Sequence, residues 1–299
     1  MSVRYKKNQI KYSQNFLKSP KLVKKIINKS SIDSEDVVYE IGPGKGIITD
    51  QLARKCKKVI AIEKDRKLYK NLLHKFRNNS RIKINYGDFL YFNLPKEGKY
   101  KIFSNIPFNL TADIINKLTS TVNLPEDTYL IIQEEAARKF AGLSYGKERQ
   151  HSLFLKPWFE LRILYHFNRT DFCPVPRVDI VLLQIKKRET PLVKKEQTQL
   201  YKDFIVYGFN QWKPTLKKAL EKVFTYEQFK RLAMDLRFNK LAKPTDLDFQ
   251  QWLGLFNYFI QGVEKSKKET IFGAEALLKH QQVRLKKVHR ARREILSKY

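Results

Sequence analysis

The tetrapeptide Asn105-Ile106-Pro107-Phe108 joins an amide, a rigid turn and a flat ring at the end of the apolar run "YKIFSN". Burying a core requires no such combination. It suits a site that holds a planar ligand carrying an amine. An exocyclic amine on adenine is a poor nucleophile, because its lone pair is delocalised into the ring. Hydrogen bonds from that amine to the Asn105 side-chain oxygen and the Ile106 carbonyl would favour a more tetrahedral nitrogen. Pro107 fixes its own φ, so both acceptors would point one way. Phe108 can stack on the base, a contact worth roughly 1–3 kcal/mol. This chemistry rests on positioning and asks for neither a metal nor a side-chain nucleophile.

Three other apolar runs end in groups that could hold a ligand. "VVYEIGPGKGIIT" places Glu40, Gly42, Gly44 and Gly46 at alternate positions between a strand-like run and a helical one. Glycines there let the backbone turn sharply and approach a ligand at a helix N-terminus. The spacing departs from the dinucleotide fingerprint GxGxxG, and Pro43 removes one backbone donor from the loop. Glu63 closes "VIAIE" about twenty residues after the first glycine, where a carboxylate can accept both hydroxyls of a ribose. An acid at that place also suits the start of the helix "EKDRK". Asp88, in "NYGDFLYF" after "IKINY", could recognise an adenine amino group, with Phe89 lining the ring. Asp in a Gly-Asp turn is common for local reasons as well.

These groups need a scaffold that brings strand ends to one edge. From about residue 37 to 186, strand-like runs ("DVVYEIG", "KKVIAIE", "YKIFSNIP", "TYLIIQ", "VDIVLLQIKK") alternate with helical ones ("GIITDQLARKC", "DRKLYKNLLHKF", "NLTADIINKLTS"). Such alternation predicts an α/β fold, a parallel sheet covered on both faces. Beyond "KKRETPL" the β signals stop. "QLYKDFIVYGFNQWKPTLKKALEKVF", "TYEQFKRLAMDLRF" and "DLDFQQWLGLFNYFIQGV" read as amphipathic helices jointed by Pro and Asp. The expected organisation is a sheet domain over 1–186, a helical domain over 187–263 and a basic tail over 264–299.

Sixty Lys and Arg stand against thirty Asp and Glu, a formal net charge of +30. Self-repulsion on that scale is relieved by a polyanionic partner, nucleic acid first and an acidic membrane surface second. No run approaches about 18 consecutive apolar residues, so a membrane-spanning helix is not expected. The N-terminus has no apolar core of a secretory signal. Two cysteines, Cys56 and Cys173, make no disulfide framework, and the five histidines show no metal-binding spacing. A cytoplasmic, metal-free chemistry is the expectation.

Taken together, these motifs resemble the ribosomal RNA adenine N6-methyltransferases, and specifically the Erm family of macrolide-lincosamide-streptogramin resistance methyltransferases. "SQNFLKSP" is similar to the family's N-terminal S-adenosylmethionine-binding segment, with Asn15 and Leu17 at its contact positions. By that likeness Gly42 and Gly44 form the glycine loop, Glu63 takes the ribose, Asp88 and Phe89 the adenine, and Asn105 to Phe108 the catalytic turn. "LIIQEEAARKFAG" and "LKPWFELRILYHFNRTDFCPVPRVDIVLLQIKKRE" are Erm-like in wording. Within the second, "FCPVPRVD" resembles a loop that closes over the target base, with Phe172 as a second aromatic wall; simple core packing is the other reading of Phe172. Many relatives carry Tyr where this chain has Phe108, which removes any phenolic role but keeps the ring.

The resemblance implies a Rossmann-like class I S-adenosyl-L-methionine-dependent fold with a smaller C-terminal helical domain. It implies methyl transfer to N6 of an adenosine in the peptidyl transferase region of 23S rRNA, extruded from its stack, by a monomer with no membrane partner. Resistance to the drugs that bind there would follow. Two alternatives stand beside it: a small-subunit rRNA dimethyladenosine transferase, whose turn is usually "NLPY", and a nucleic-acid-binding relative without turnover. Intact Glu63, Asp88 and Asn105 argue against the latter.

Overall fold

Apolar runs bounded by glycine or acidic turns become the inner strands of a seven-stranded sheet. The computed structural model describes residues 15–142, 147–210 and 213–283. Its chain divides into two compact units, the first reaching Ala141 and resuming over Trp158–Thr190.

In the first unit β1 (Phe16–Leu17) precedes α1 (Pro20–Ile27). Ser19 caps that helix by accepting from the Leu22 amide at 3.2 Å, and Pro20 takes the first turn, where its missing N–H costs nothing. Then follow β2 (Val37–Ile41), α2 (Ile47–Ala53), β3 (Lys58–Glu63), α3 (Arg66–Lys75), β4 (Ile82–Tyr86), β5 (Lys101–Asn105), α4 (Thr111–Ser120), β6 (Asp127–Gln133) and α5 (Glu134–Ala141). The strands lie in the order β4-β3-β2-β5-β6, all parallel. Parallel strands carry helices on both faces, which is why β6 and β5 are buried along most of their length.

The chain proceeds from β2 to β3 and β4 on one side, then returns to β5 and β6 on the other. A crevice therefore opens beyond the ends of β2 and β5, where ligands bind in sheets of this kind. The two strands are tied there by the Ser104 hydroxyl, which accepts from the Ile41 amide at 2.6 Å. One face of the sheet packs Val38, Val59, Phe103 and Leu182 against Val23 and Ile26 of α1 and Ile48 and Leu52 of α2.

Two antiparallel strands complete the sheet. After α6 (Gln150–Leu155), β7 (Phe159–His166) forms an edge, and β9 (Ile180–Lys187) lies between it and β6. The strand β7 is missing from the expectations above. Its charged, half-exposed pattern "FELRILYH" carries no continuous apolar run, because as an edge strand it buries little of its length. Between β7 and β9, β8 (Phe172–Cys173) pairs with β1 in a separate two-stranded sheet.

Among the described residues, the second unit comprises Gly142, 147–157, 191–210 and 213–283. It holds α6 together with α7 (Thr198–Phe209), α8 (Leu216–Ala219), α9 (Tyr226–Asp235), α10 (Phe249–Gly262) and α11 (Lys265–Glu269), with 274–283 also helical. Its core packs Phe204 of α7 edge-on to Trp252 and tilted against Phe256 and Phe259 of α10. The expected boundary after 186 thus falls after Thr190, and the described residues 147–157, expected in the sheet domain, pack with the helices. The helical run over 199–224 stops at Phe209 and restarts at Leu216, so Pro214 marks a joint as expected, because it can neither donate a helical hydrogen bond nor follow a helical residue comfortably. Nor does a tail begin at 264. Asp203 of α7 accepts from the amides of Gly273 and Glu275 at 3.2 and 2.8 Å, which binds that stretch into the unit. The remainder of the expected tail, 284–299, lies outside the described residues. Among those residues no helix is long and apolar enough to cross a membrane.

Candidate active site

The parallel register brings Asp88, Glu63, Gly42 and Asn105 to one edge of the sheet in the spatial order of β4, β3, β2 and β5. Three strand spacings separate the first from the last, about 14 Å. That row suits an extended ligand with a nucleoside at one end and its reactive group at the other.

The crevice at the β2/β5 end is a pocket lined by the Asn15–Leu17 segment, Glu40, the Gly42–Pro43 turn, the start of α2 and the Asn105–Phe108 turn. Gly42 sits at φ +62°, a left-handed conformation that L side chains rarely adopt, and its amide donates to the Ile62 carbonyl at 2.9 Å. A Cβ on Gly42 would meet nothing within 4 Å of the protein, so it would stand in open space at the pocket wall. Gly44, also left-handed, is different: a Cβ there would come within 2.6 Å of the Phe16 ring. The loop is therefore bare on one side for a ligand and bare on the other for an aromatic neighbour.

Glu63 is 2% exposed and braces this loop. One carboxylate oxygen accepts from the Gly44 amide at 3.1 Å and the other from the Asp65 amide at 2.8 Å. Burial raises its pKa against those donors. Asp88 caps the short turn Phe89–Tyr91 by accepting from the Leu90 amide at 2.9 Å, and it pairs with Lys64 at 2.6 Å. Burial pushes the Asp88 carboxyl up, but the Lys64 ammonium and the Leu90 amide outweigh it and hold the group below its ordinary value. Lys117 organises the same turn by donating to the carbonyls of Phe89, Leu90 and Phe92.

Asn105 donates its amide nitrogen to the Asn15 carbonyl at 2.7 Å. That bond ties the Asn105–Phe108 turn to the N-terminal segment and leaves the amide oxygen free to accept from a ligand. Pro107 starts a turn of 3₁₀ helix, Phe108–Leu110, at φ −62°, and Phe108 lies half-buried on the core with its carbonyl accepting from the Thr111 hydroxyl at 3.0 Å. The Asn15–Leu17 segment is held from the far side. Phe16 and Leu17 pair with Cys173 and Phe172, and the Lys18 amide donates to the Asp171 carbonyl at 3.1 Å.

Asn15, Leu17, Gly42, Ile106, Pro107 and Phe108 thus line one pocket with Asn105, while Gly44, Glu63 and Asp88 continue the row along the strand ends. Two expectations change. Phe172 is 0% exposed and edge-on to Phe167 at 5.3 Å, so it is a core residue and not a wall for a base. Its apolar ring anchors the strand that steadies the N-terminal segment. Phe89 is 5% exposed with Lys117 Nζ 5.0 Å from its ring centre, so that ring packs inward and only its backbone adjoins Asp88.

Two residues went unassigned in the sequence. Phe16 lies between the two named contacts of its segment and fills the space above Gly44. Glu40 lines the pocket at 1% exposure, accepting from the Thr49 hydroxyl at 2.6 Å. Burial pushes its carboxyl up to about 8, with the Thr49 hydrogen bond opposing and the nearby Glu63 adding to the rise. The alternate-glycine motif that it opens was the available signal.

The donor set fits S-adenosylmethionine: a carboxylate at the ribose position, an acid for the adenine amine, a bare glycine turn, and a pocket lining that carries no Lys or Arg to repel a sulfonium.

Comparison with known proteins agrees. A family model described as ribosomal RNA adenine dimethylase matches residues 5–261. An rRNA adenine N-6-methyltransferase of Lysinibacillus sphaericus is 32% identical over 85% of this chain and 97% of its own length. One of Escherichia coli is 32% identical over 84% and 96%. The crystal structure of the 23S rRNA methyltransferase ErmE superposes with a TM-score of 0.77 at 26% identity, covering 83% of this chain and all of that one (100%). A dimethyladenosine transferase of Plasmodium falciparum shares the fold, with a TM-score of 0.64 at 22% identity over 83% and 98% of the two chains.

Proposed function

The chain belongs to the ribosomal RNA adenine dimethylase family, an S-adenosylmethionine-dependent rRNA adenine N6-methyltransferase, and on that premise we propose that its target is one adenosine in the peptidyl transferase region of 23S rRNA. Methylation there would crowd the drug site and confer macrolide-lincosamide-streptogramin B resistance. In this reading the protein acts as a monomer in the cytoplasm on protein-free or partly assembled RNA.

The observation that carries the reading is the Asn105–Phe108 turn, held against the glycine loop at the sheet's switch point with its amide donor already engaged by Asn15. S-adenosylmethionine, when bound, supplies an electrophilic methyl group on sulfur. Gly42, Glu63 and Asp88 would hold it, with Asn15 and Leu17 closing over it. The Asn105 oxygen and the Ile106 carbonyl accept from the adenosine amine, which turns its lone pair out of the ring plane. Phe108 clamps the extruded base. The 23S target is favoured over a small-subunit target by the "NIPF" turn and by the likeness to ErmE.

The test is methyl transfer from labelled S-adenosylmethionine to protein-free 23S and 16S rRNA, mapped by primer extension. One modified adenine in the 23S peptidyl transferase loop is expected. Paired adenines near the 16S 3′ end would move the protein to the housekeeping dimethyltransferases.

A further inference from the structure

A second groove adjoins the pocket. Phe16, Leu17 and Ile47 line both, and beyond Phe16 the groove is rimmed by Lys18, Lys45 and Lys75, with the exposed thiol of Cys173 on its wall. The chemistry described above uses none of these cations. Lys45 Nζ stands 5.5 Å from the centre of the Phe16 ring. Lys75 Nζ donates to the Lys45 carbonyl at 2.9 Å and lies 5.0 Å from the centre of the Phe76 ring. Two of the three ammonium groups are therefore already placed, and less side-chain entropy remains to be lost when an anion arrives. The carboxylate on the wall, Asp50, is engaged by Arg54 at 3.2 Å. Among the described residues none of the three lysines forms an ion pair with a carboxylate.

We propose that this groove seats the sugar–phosphate backbone flanking the target adenosine, with phosphates on Lys18, Lys45 and Lys75 and a neighbouring sugar or base against Phe16. The inference rests on the rRNA-methyltransferase reading and names where that substrate runs. A base drawn out of its stack brings its own flanking phosphates to the rim of the pocket. Unpaired cations beside that rim are the complement such a strand requires. A small free anion would satisfy the lysines but leave the shared wall of Phe16, Leu17 and Ile47 without purpose, whereas one continuous strand occupies both spaces.

The chain's two cysteines make the groove addressable, since Cys56 is buried and Cys173 is exposed. Cys173 is labelled with a bulky neutral maleimide, and transfer is measured on an rRNA transcript that the unlabelled protein methylates. The label should lower kcat/KM for that RNA by about tenfold or more while the Kd for S-adenosylmethionine stays unchanged. In parallel, Lys18→Gln should reduce the slope of log Kd for RNA against log salt by about 0.7 to 0.9. An unchanged salt slope overturns the proposal, as does labelled protein that methylates at the unlabelled rate. A label that weakens cofactor binding in step with activity assigns the groove to the cofactor and overturns it too. Unlabelled protein that transfers no methyl group to any rRNA refutes the underlying function instead, so the two failures are told apart.

Discussion

Replacing Glu40 by Gln should raise the stability of the protein at alkaline pH and leave it unchanged in mild acid. The carboxyl lies 1% exposed with one hydroxyl donor, and burial lifts its pKa from an ordinary 4.5 to about 8. Between those values the folded chain holds a proton that the unfolded chain has released. Stability therefore falls as pH rises, by about 1.4 kcal/mol per pH unit, because the unfolded state binds fewer protons. The full interval corresponds to an upper bound of about 5 kcal/mol. From pH 5.5 to 7.5 the contribution is about 2–3 kcal/mol. Gln is neutral in both states and keeps an oxygen for the Thr49 hydroxyl, so it removes the linkage without removing the acceptor. Urea unfolding of both proteins, followed by circular dichroism at half-unit steps from pH 5 to 8.5, reads the difference directly. Other titrating groups cancel in the comparison, Glu63 included so long as Glu40 is neutral beside it. The curves should lie closest at the acid end, near pH 5, and diverge above it, with the Gln variant the more stable. Parallel curves across the range would show that Glu40 is ionised in the folded protein, and the account of its burial would be wrong.

Asn105→Ala should abolish methyl transfer while S-adenosylmethionine binding stays measurable by calorimetry; normal turnover would remove Asn105 from the chemistry. Phe108→Leu keeps an apolar side chain but loses the stacking face, a loss of roughly 1–3 kcal/mol, so kcat/KM for RNA should fall about fivefold to a hundredfold. Restoring a ring with Phe108→Tyr should recover it. Phe172→Ala should cost about 3–5 kcal/mol in urea unfolding, as a fully buried ring does. A stable Phe172→Ala protein with lost activity would return that residue to the target base.

What was legible in the sequence is the row of ligand groups. Parallel strands covered on both faces are nearly continuous apolar runs, and the crossover that returns the chain between each pair brings their C-terminal ends to the same edge. Gly42, Glu63, Asp88 and Asn105 could thus be aligned from "VVYEI", "VIAIE", "IKINY" and "KIFSN" without coordinates, because each closes or follows a strand at its carboxyl end. The helical character of the chain beyond Pro191 was equally readable from its periodicity.

Tertiary structure decided the rest, since pairing between distant segments leaves no local mark. Which strand neighbours which set the crevice between β2 and β5 and the edge position of β7, whose mixed pattern hid it. The pairing of Phe16–Leu17 with Phe172–Cys173 crosses most of the first unit's sequence; it buries Phe172, and it holds Phe16 above Gly44. The raised pKa of Glu40 is likewise a property of its surroundings: an acid beside glycines reads as polar, and only the closed layers around it make its charge costly. Sequence alone determined what the strand ends carry, through the rigid geometry of alternating strands and helices, and the long-range packing determined how deeply each group is buried and what it meets.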